Sequence, residues 1–302
     1  MSVIENTLKR LQGQRPAGSP TPAEADGKGY GTVTAAGAAR RRESPAGAAI
    51  PERAVAIDQN ALRAAGMLPP VHQEHELAQQ YRRIKRPLIN NALGRGVAAL
   101  AQGNLIMITS AVPGEGKTFM ALNLALSMRL EEDVTVLLVD GDFVNPRITQ
   151  ILGLESRPGL LDIVRDPNLS VDAAIVPTDI PGLSFLPAGR LDANATELVA
   201  SARMHEVVAK VGRDDPARMV LFDSAPLLVT TESQALAHFA GQVVVVVQAD
   251  HTPQQIVFDA LETLAEDKPV SLVLNQTLRH SHSGYYYEYG SGAKSHEQPG
   301  GS

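Results

Sequence analysis

The sequence predicts an α/β protein organised as a doubly wound, mostly parallel sheet. Three observations support this prediction. Short runs rich in β-branched residues recur between residues 105 and 274, each run is continuously apolar, and stretches with helical periodicity separate them. Continuously apolar runs are typical of strands that are buried on both faces of a parallel sheet. Their alternation with helices is the pattern of a doubly wound domain.

The individual elements follow in order along the chain. Apolar residues recur at helical spacing from Glu74 to Leu88, which predicts a helix, and Pro87 predicts a kink or an end there. Six strands are then predicted, at Leu105–Ile108, Val134–Val139, Leu183–Leu186, Met219–Phe222, Val243–Val247 and Val270–Leu274. Four helices are predicted between these strands, at Lys117–Leu130, Thr196–Val211, Thr230–Ala240 and Pro253–Ala265.

The composition is that of a soluble globular protein. The 302 residues are 44% hydrophobic and 20% charged, and no cysteine is present, which excludes disulfides and thiolate metal sites. The net charge of −6 argues against a nucleic-acid partner. The sequence has neither an apolar run of about 18 residues nor an N-terminal secretion signal, so we expect a cytoplasmic protein.

The two ends of the chain differ in composition from its middle. Ile4, Leu8 and Leu11 recur at helical spacing, whereas Ala, Gly and Pro make up more than half of the next 40 residues. After Asn275 the chain is rich in Gly, Ser, His and Tyr. We therefore expect a short amphipathic helix, a disordered linker, a folded domain and a flexible tail, at residues 1–14, 15–73, 74–275 and 276–302.

A phosphate-binding loop is predicted between the first strand and the helix that follows it. The loop ends in Gly-Lys-Thr, although Ala111 stands where the pattern usually begins with glycine. Backbone N–H groups at a helix N-terminus favour an anion, Lys117 adds a positive charge, and the Thr118 hydroxyl suits Mg²⁺. An ordinary glycine-containing turn is the alternative. The residues expected at the nucleotide are Pro113, Gly114, Glu115, Gly116, Lys117, Thr118 and Phe119.

Carboxylates follow two later strands. Asp140 and Asp142 come after the second predicted strand, and Asp223 comes after the fourth. Since the carboxyl ends of parallel strands meet in one crevice, these groups are expected to hold Mg²⁺ and to accept a proton. Each alone is also compatible with a helix cap or a turn. Asn275 ends the last strand, where it serves either as an adenine contact or as a turn former.

A tyrosine cluster lies in the predicted tail. The chain has six tyrosines, and four of them stand at Tyr285, Tyr286, Tyr287 and Tyr289. A polar tail offers no core for aromatic rings to fill, and tyrosine hydroxyls on a mobile tail beside a Mg²⁺-nucleotide site are candidate phosphoryl acceptors. A small docking patch and an adhesive low-complexity tail are the alternatives.

Together these motifs resemble the bacterial tyrosine kinases of exopolysaccharide biosynthesis, from about Glu74 to the C-terminus. The residues that carry the resemblance are Pro113–Thr118 (Walker A), Val136–Asp142 (Walker A′), Val220–Asp223 with Pro226 (Walker B) and the tyrosine cluster. The start of the chain, MSVIENTLKRL, is similar to the cytoplasmic, exosortase-associated branch. The resemblance implies a P-loop NTPase fold of the MinD/ParA-like kind.

The resemblance also implies roles for the site residues. Lys117 would neutralise the transferring phosphate of ATP, Asp140 would be the carboxylate nearest the attacking hydroxyl, and the tail tyrosines would be the acceptors for a neighbouring subunit. Mg²⁺ would be held by Thr118, Asp142 and Asp223. Three departures from the family pattern are visible: Val144 replaces an arginine, Ala225 replaces a proline, and a helix motif for subunit contacts reads Gln79, Arg82 and Lys85.

Partners are likewise implied by the resemblance. They are the cytoplasmic tail of an inner-membrane polysaccharide co-polymerase, which would recruit the protein to the membrane, further copies of the chain in a ring, and a tyrosine phosphatase. A ParA/MinD-type switch ATPase is the main alternative. ATPases of that class usually carry a lysine early in the loop, where this sequence has Val112, and the MinD-like ones end in an amphipathic membrane helix, which is not predicted here.

Overall fold

The computed structural model describes residues 54–191, 194–213, 215 and 217–277. The predicted helix at residues 1–14, most of the predicted linker, and Tyr285, Tyr286, Tyr287 and Tyr289 lie outside these residues. The expectations for those segments therefore stay predictions.

Seven strands in the described residues form one sheet, in the order β3-β4-β2-β5-β1-β6-β7. All neighbours are parallel except β3 and β4, which are antiparallel. The prediction of a doubly wound, mostly parallel sheet is therefore confirmed. The strands are β1 (Leu105–Ser110), β2 (Thr135–Gly141), β3 (Val176–Pro177), β4 (Leu183–Leu186), β5 (Arg218–Ser224), β6 (Gln242–Gln248) and β7 (Val270–Asn275).

Ten α-helices and one short 3₁₀-helix, Val71–Gln73, accompany the sheet in the described residues. The α-helices are α1 (Gln59–Ala64), α2 (Glu74–Leu93), α3 (Lys117–Met128), α4 (Arg147–Ile151), α5 (Leu160–Arg165), α6 (Val171–Ala174), α7 (Ala195–Val199), α8 (Ala202–Arg213), α9 (Thr231–Phe239) and α10 (Gln254–Glu262).

Both faces of the sheet are covered by apolar side chains. Alternate residues of β1 enter different clusters: Ile106 and Ile108 pack with α2 and α3, whereas Met107 packs on the opposite face beside α10. Leu137 and Val139 of β2 pack on that opposite face too, with α5 and α8. Because both faces are buried, the strands have continuous apolar runs, which is why the sequence indicates them clearly.

Two predicted helices differ from the structure for local reasons. The segment expected as one helix from Thr196 is divided into α7 and α8 at Ser201. The Ser201 hydroxyl donates to the Leu198 carbonyl and accepts from the Met204 N–H at 3.2 Å, so it caps the second helix. Helix α2 does not end at Pro87, which was one of the two outcomes expected there, and runs on to Leu93, after which Gly94 closes it with a φ of 67°.

The linker prediction is wrong for residues 54–73. Leu62, Met67 and Leu68 are buried in the main core cluster, and the Asn123 amide of α3 donates to the Met67 carbonyl at 2.8 Å. Asp58 caps α1 by accepting from two backbone N–H groups. These large apolar residues bury enough surface to order the segment, which the alanine-rich composition conceals.

None of the helices in the described part of the chain combines the length and the hydropathy that a membrane crossing requires.

Candidate active site

The predicted phosphate-binding loop joins the end of β1 to the start of α3. Gly114 and Gly116 adopt φ values of 89° and 91°, which glycine tolerates far better than other residues. No acceptor among the described residues pairs with the backbone N–H groups of residues 114–119. Consecutive free N–H groups at a helix N-terminus form an anion-binding cradle, so the loop is suited to phosphate.

The Glu115 side chain points into the protein rather than towards the cradle. It is buried, accepts from the Val112 N–H at 3.0 Å and from the Gln248 N–H at 3.1 Å, and also accepts from the Thr252 hydroxyl. These bonds tie the loop to the chain that follows β6. From the sequence, Glu115 is expected only as a loop residue at the nucleotide, because nothing in its spacing reveals this inward side chain.

The last strand ends against the same loop. The Asn275 Nδ2 donates to the Glu115 carbonyl at 2.8 Å, and the Gln276 Nε2 donates to the Gly114 carbonyl at 3.1 Å. The Asn275 amide nitrogen is thus engaged with the loop. The expected contact of Asn275 with adenine stays a prediction. Gln276 was not singled out from the sequence, since a glutamine after a strand carries no motif.

Lys117 forms an ion pair with Asp142. Its ammonium lies 3.0 Å from Asp142 Oδ2, while Asp142 Oδ1 accepts from the Asn145 N–H at 3.0 Å. Both side chains are largely buried. The structure thus brings together the loop lysine and one of the carboxylates expected at the metal.

Asp140 and Asp223 lie side by side on β2 and β5, in direct register. Both are fully buried. Asp140 Oδ2 accepts from the N–H and from the hydroxyl of Thr149, each at 2.8 Å. Within the described part of the chain, Asp140 Oδ1 and both Asp223 oxygens have no hydrogen-bond partner. The Thr118 side chain lies close enough to Asp223 to lower its pKa, but it makes no hydrogen bond of ordinary geometry to either oxygen.

This arrangement shifts the titration of both carboxyl groups. Burial raises the pKa of Asp223 to about 8, with a further increase from the neighbouring Asp140, against lowering by Lys117 and Thr118. Burial also raises the pKa of Asp140 to about 6, and the Thr149 hydrogen bonds oppose it. Two adjacent buried carboxyl groups with unpaired oxygens need a proton or a cation between them.

The donor set fits Mg²⁺. Residues 54–277, as far as they are described, contain no cluster of three or more His, Asp or Glu side chains that forms a ready metal cage. Mg²⁺ at phosphate sites needs only one or two carboxylates besides water and phosphate oxygens. The unpaired oxygens of Asp223, with Asp142 and the Thr118 hydroxyl close by, satisfy that requirement.

A cavity of about 1060 Å³ opens over the loop. Pro113, Lys117, Thr118 and Phe119 line one side of it, and Leu274–Thr277 line another. The segment before and within α2, part of which is predicted as linker from the sequence, contributes further lining residues, namely Gly66, Met67, His72, Gln73, Glu76, Leu77 and Gln80. Asp140, Asp142 and Asp223 are not in the lining, whereas Lys117, which contacts Asp142, is.

Lys85, from the helix motif expected at subunit contacts, is buried. Its ammonium donates to the Ser127 carbonyl at 2.6 Å and pairs with Glu131 at 2.8 Å. Lys85 therefore joins α2 to the end of α3. Gln79 and Arg82 of the same motif are exposed.

The fold and the loop together define the chain as a P-loop protein of the doubly wound α/β class. It is 31% identical over 215 residues to the tyrosine-protein kinase YwqD of Bacillus subtilis, covering 69% of this chain and 86% of YwqD. It is 30% identical to the succinoglycan biosynthesis transport protein ExoP of Rhizobium meliloti, over 59% of this chain. The chain belongs to the family of bacterial tyrosine-protein kinases.

A solved structure supports the same conclusion. The kinase domain of VpsO superposes with a TM-score of 0.56 at 25% identity, covering 69% of this chain and all of that domain. Several curated relatives are much longer, and the chain spans only 23% of ExoP and 27% of AmsA from Erwinia amylovora. No family model matches the sequence.

Proposed function

We propose that the protein is an ATP- and Mg²⁺-dependent protein-tyrosine kinase that phosphorylates tyrosines of its own tail. The observation that carries the proposal is the run of unpaired N–H groups at residues 114–119, beside Lys117 and three strand-end carboxylates, in a chain of the bacterial tyrosine-kinase family. An ordinary turn would leave fewer donors unpaired and would not need these carboxylates.

The loop binds the phosphates of ATP. The N–H groups of residues 114–119 donate to phosphate oxygens, and the positive end of the α3 dipole adds to the attraction. Lys117 exchanges Asp142 for a phosphate oxygen and neutralises charge as it develops during transfer. This exchange releases the Asp142 carboxylate towards the metal.

Thr118, Asp142 and Asp223 are the residues that would hold Mg²⁺, and the ion would supply charge neutralisation at the phosphates. A cation beside Asp223 favours its ionised form, which opposes the effect of burial on its pKa. The raised pKa of Asp223 is therefore a property that cation binding reverses.

Transfer forms a bond between the tyrosine oxygen and the γ-phosphorus and breaks the bond from that phosphorus to the β–γ bridging oxygen. ADP leaves with the bridging oxygen, and the phenolic proton passes to a carboxylate. Asp140 is our candidate for that acceptor, since its Oδ1 has no hydrogen-bond partner among the described residues and Thr149 fixes its orientation through Oδ2.

The tail provides the acceptors. Tyr81 is buried in the core, where its hydroxyl is not accessible to a nucleotide site. Tyr285, Tyr286, Tyr287 and Tyr289 are the proposed acceptors, presented to the site of a neighbouring subunit. Each added phosphate carries about −1.5 to −2 charges, so a phosphorylated tail would repel its neighbours and open a ring.

The wider role proposed is regulation of exopolysaccharide polymerisation and export, which is supported by the similarity to ExoP, a succinoglycan biosynthesis transport protein. On this proposal the protein is cytoplasmic and is recruited to the inner face of the plasma membrane by the tail of a polysaccharide co-polymerase. A tyrosine phosphatase resets it.

The test is transfer from γ-labelled ATP with Mg²⁺, comparing wild type, Lys117→Met and a chain that ends at Gly284. Lys210→Met is the matched control, because Lys210 pairs with Asp172 on the surface. We expect label on tyrosine in wild type and the control, and none in the other two chains. ATP hydrolysis without labelled protein, even with a co-polymerase tail added, would support the switch ATPase instead.

A further inference from the structure

We propose that Asn275 and Gln276 are positioning residues that orient the phosphate-binding loop and couple its occupancy to the start of the tail. The part of the proposal that concerns the tail rests on the proposed function. The geometry of the loop stands independently of it.

The orientation follows from peptide geometry. In a trans peptide the C=O and N–H groups point in opposite directions. Gln276 holds the Gly114 carbonyl at 3.1 Å, which directs the Glu115 N–H the other way. Asn275 holds the Glu115 carbonyl at 2.8 Å, which does the same for the Gly116 N–H. Two members of the cradle are therefore oriented before an anion arrives.

The Gln276 carboxamide is itself held in place. The Gln276 Oε1 accepts from the Gln248 Nε2 at 2.8 Å, and the Gln248 N–H donates to the buried Glu115. Gln276 has a φ of 56°, a conformation that costs a non-glycine residue free energy. A Cβ on Gly116 would lie 2.1 Å from the Asn275 Nδ2, so the contact also requires glycine at position 116.

Coupling follows because the same peptide groups serve both sides. A phosphate that accepts from the Glu115 and Gly116 N–H groups polarises those peptides and makes the Gly114 and Glu115 carbonyls better acceptors for the carboxamides. Nucleotide then holds residues 275–276 more firmly. By linkage, loosening these residues weakens nucleotide binding by the same factor.

The experiment measures ATP affinity of the full chain by equilibrium titration. In Gln276→Gly the amide is lost while the backbone conformation is permitted. Gln102→Gly is the matched control, since Gln102 has a φ of 53° before β1, away from the loop. We expect about a two- to tenfold weaker affinity for Gln276→Gly, the range of one hydrogen bond, and no change for the control.

A second readout separates coupling from plain stability. Trypsin cleavage after Arg279, close to the start of the tail, should be slowed by ATP in wild type and in Gln102→Gly but not in Gln276→Gly. The loss of ATP-binding free energy in the double variant Gln248→Ala/Gln276→Gly should be smaller than the sum of the losses in the two single variants, because both residues act in one network.

The outcomes test the positioning role, the coupling and the proposed function separately. Wild-type affinity in Gln276→Gly would overturn the positioning role and leave the proposed kinase function intact. Weakened affinity with unchanged protection by ATP at Arg279 would overturn the coupling. A wild-type chain that binds no ATP would overturn the proposed function and the coupling together.

Discussion

The Lys117 ammonium lies 3.0 Å from Asp142 Oδ2, so an ion pair joins the phosphate-binding loop to the end of β2. Both groups have a second task in the proposed function, one at the phosphate and the other at the metal. Phosphate must therefore compete with Asp142 for the lysine. On the proposed function, the same Asp142 carboxylate thus opposes phosphate binding, by pairing with Lys117, and supports metal binding.

This competition predicts opposite effects of Asp142→Asn in two assays. Without Mg²⁺, ATP affinity should stay equal or rise by up to about tenfold, because the lysine loses its anionic competitor. With Mg²⁺, phosphoryl transfer should fall by about 100-fold or more, because a metal ligand is lost. The measurements are ATP titration in chelator and initial rates of label transfer. Asp172→Asn, in a surface pair, is the control.

A fall in metal-free affinity for Asp142→Asn, with Asp172→Asn unchanged, would contradict this account of the ion pair. It would mean that Asp142 supports the loop rather than competing with phosphate.

The glycines of the loop should respond differently from a glycine elsewhere. Gly116→Ala forces a Cβ to within 2.1 Å of Asn275, whereas a Cβ at Gly153, also with positive φ, meets nothing within 4 Å. Both substitutions strain the backbone, at a cost of about 1–2 kcal/mol. We expect only Gly116→Ala to weaken ATP binding. Thermal unfolding with and without ATP measures both effects, and equal ATP-induced stabilisation of the two variants would refute the prediction.

Stability should fall as pH rises, because Asp223 and Asp140 keep protons that the unfolded chain releases. The pKa of an aspartate in the unfolded chain is about 3.9, whereas the pKa of Asp223 in the folded protein is about 8. The contribution is therefore complete below about pH 4 and is lost as pH rises towards the folded pKa. We expect a lower free energy of unfolding at pH 8.5 than at pH 6, and a smaller fall in Asp223→Asn. Urea unfolding at both pH values checks this.

The control for that experiment is Asp172→Asn, in which the free energy of unfolding should fall between pH 6 and pH 8.5 as much as in wild type. If Asp223→Asn also keeps the full fall, the buried carboxyl pair is not its source.

Lys85 should act on stability. Lys85→Met removes a buried, charged donor from the Ser127 carbonyl, which keeps the Leu130 N–H at 3.3 Å, and it also removes the partner of Glu131, at a cost of about 1–3 kcal/mol. Lys210→Met, on the surface, should change stability by less than about 0.5 kcal/mol. Urea unfolding provides the comparison, with the oligomeric state measured by light scattering in parallel. A change in oligomeric state without a change in stability would contradict the internal role of Lys85.

Much of the fold could be predicted from the sequence because its strands are buried on both faces. All six predicted strands are present, whereas β3 has only two residues and no period to detect. The Gly-Lys-Thr loop was predictable because its chemistry requires those residues at that spacing. The three carboxylates were expected at strand ends, and the register of Asp140 with Asp223 brings two of them together.

The remainder depends on tertiary contacts that leave no local pattern. Two hydrogen bonds, from Gln248 to the inward Glu115 side chain and from Gln276 to the Gly114 carbonyl, join residues more than 130 positions apart. The segment from Ala54 was obscured by an alanine-rich composition, although Leu62, Met67 and Leu68 lie within it. Three large apolar residues in so short a stretch are the signal that identifies it as part of the core.

That segment gives a prediction about domain boundaries. A chain that begins at Ala54 should unfold like the full chain. A chain that begins at Glu74 loses the burial of Leu62, Met67 and Leu68, worth about 1.5–3 kcal/mol for each side chain. Thermal unfolding of the two truncated chains measures the difference, and equal stability would show that residues 54–73 are dispensable to the fold.

The central claim is that this site transfers phosphate to the tail. Its most direct test is phosphosite mapping by mass spectrometry after mixing Lys117→Met, which keeps the acceptors, with the chain that ends at Gly284, which keeps the site. With Mg²⁺ and ATP, we predict phosphate on Tyr285, Tyr286, Tyr287 or Tyr289 of the Lys117→Met chain. The same mixture without the shortened chain should give none. Production of ADP with no phosphotyrosine in the mixture or in wild type would contradict the claim.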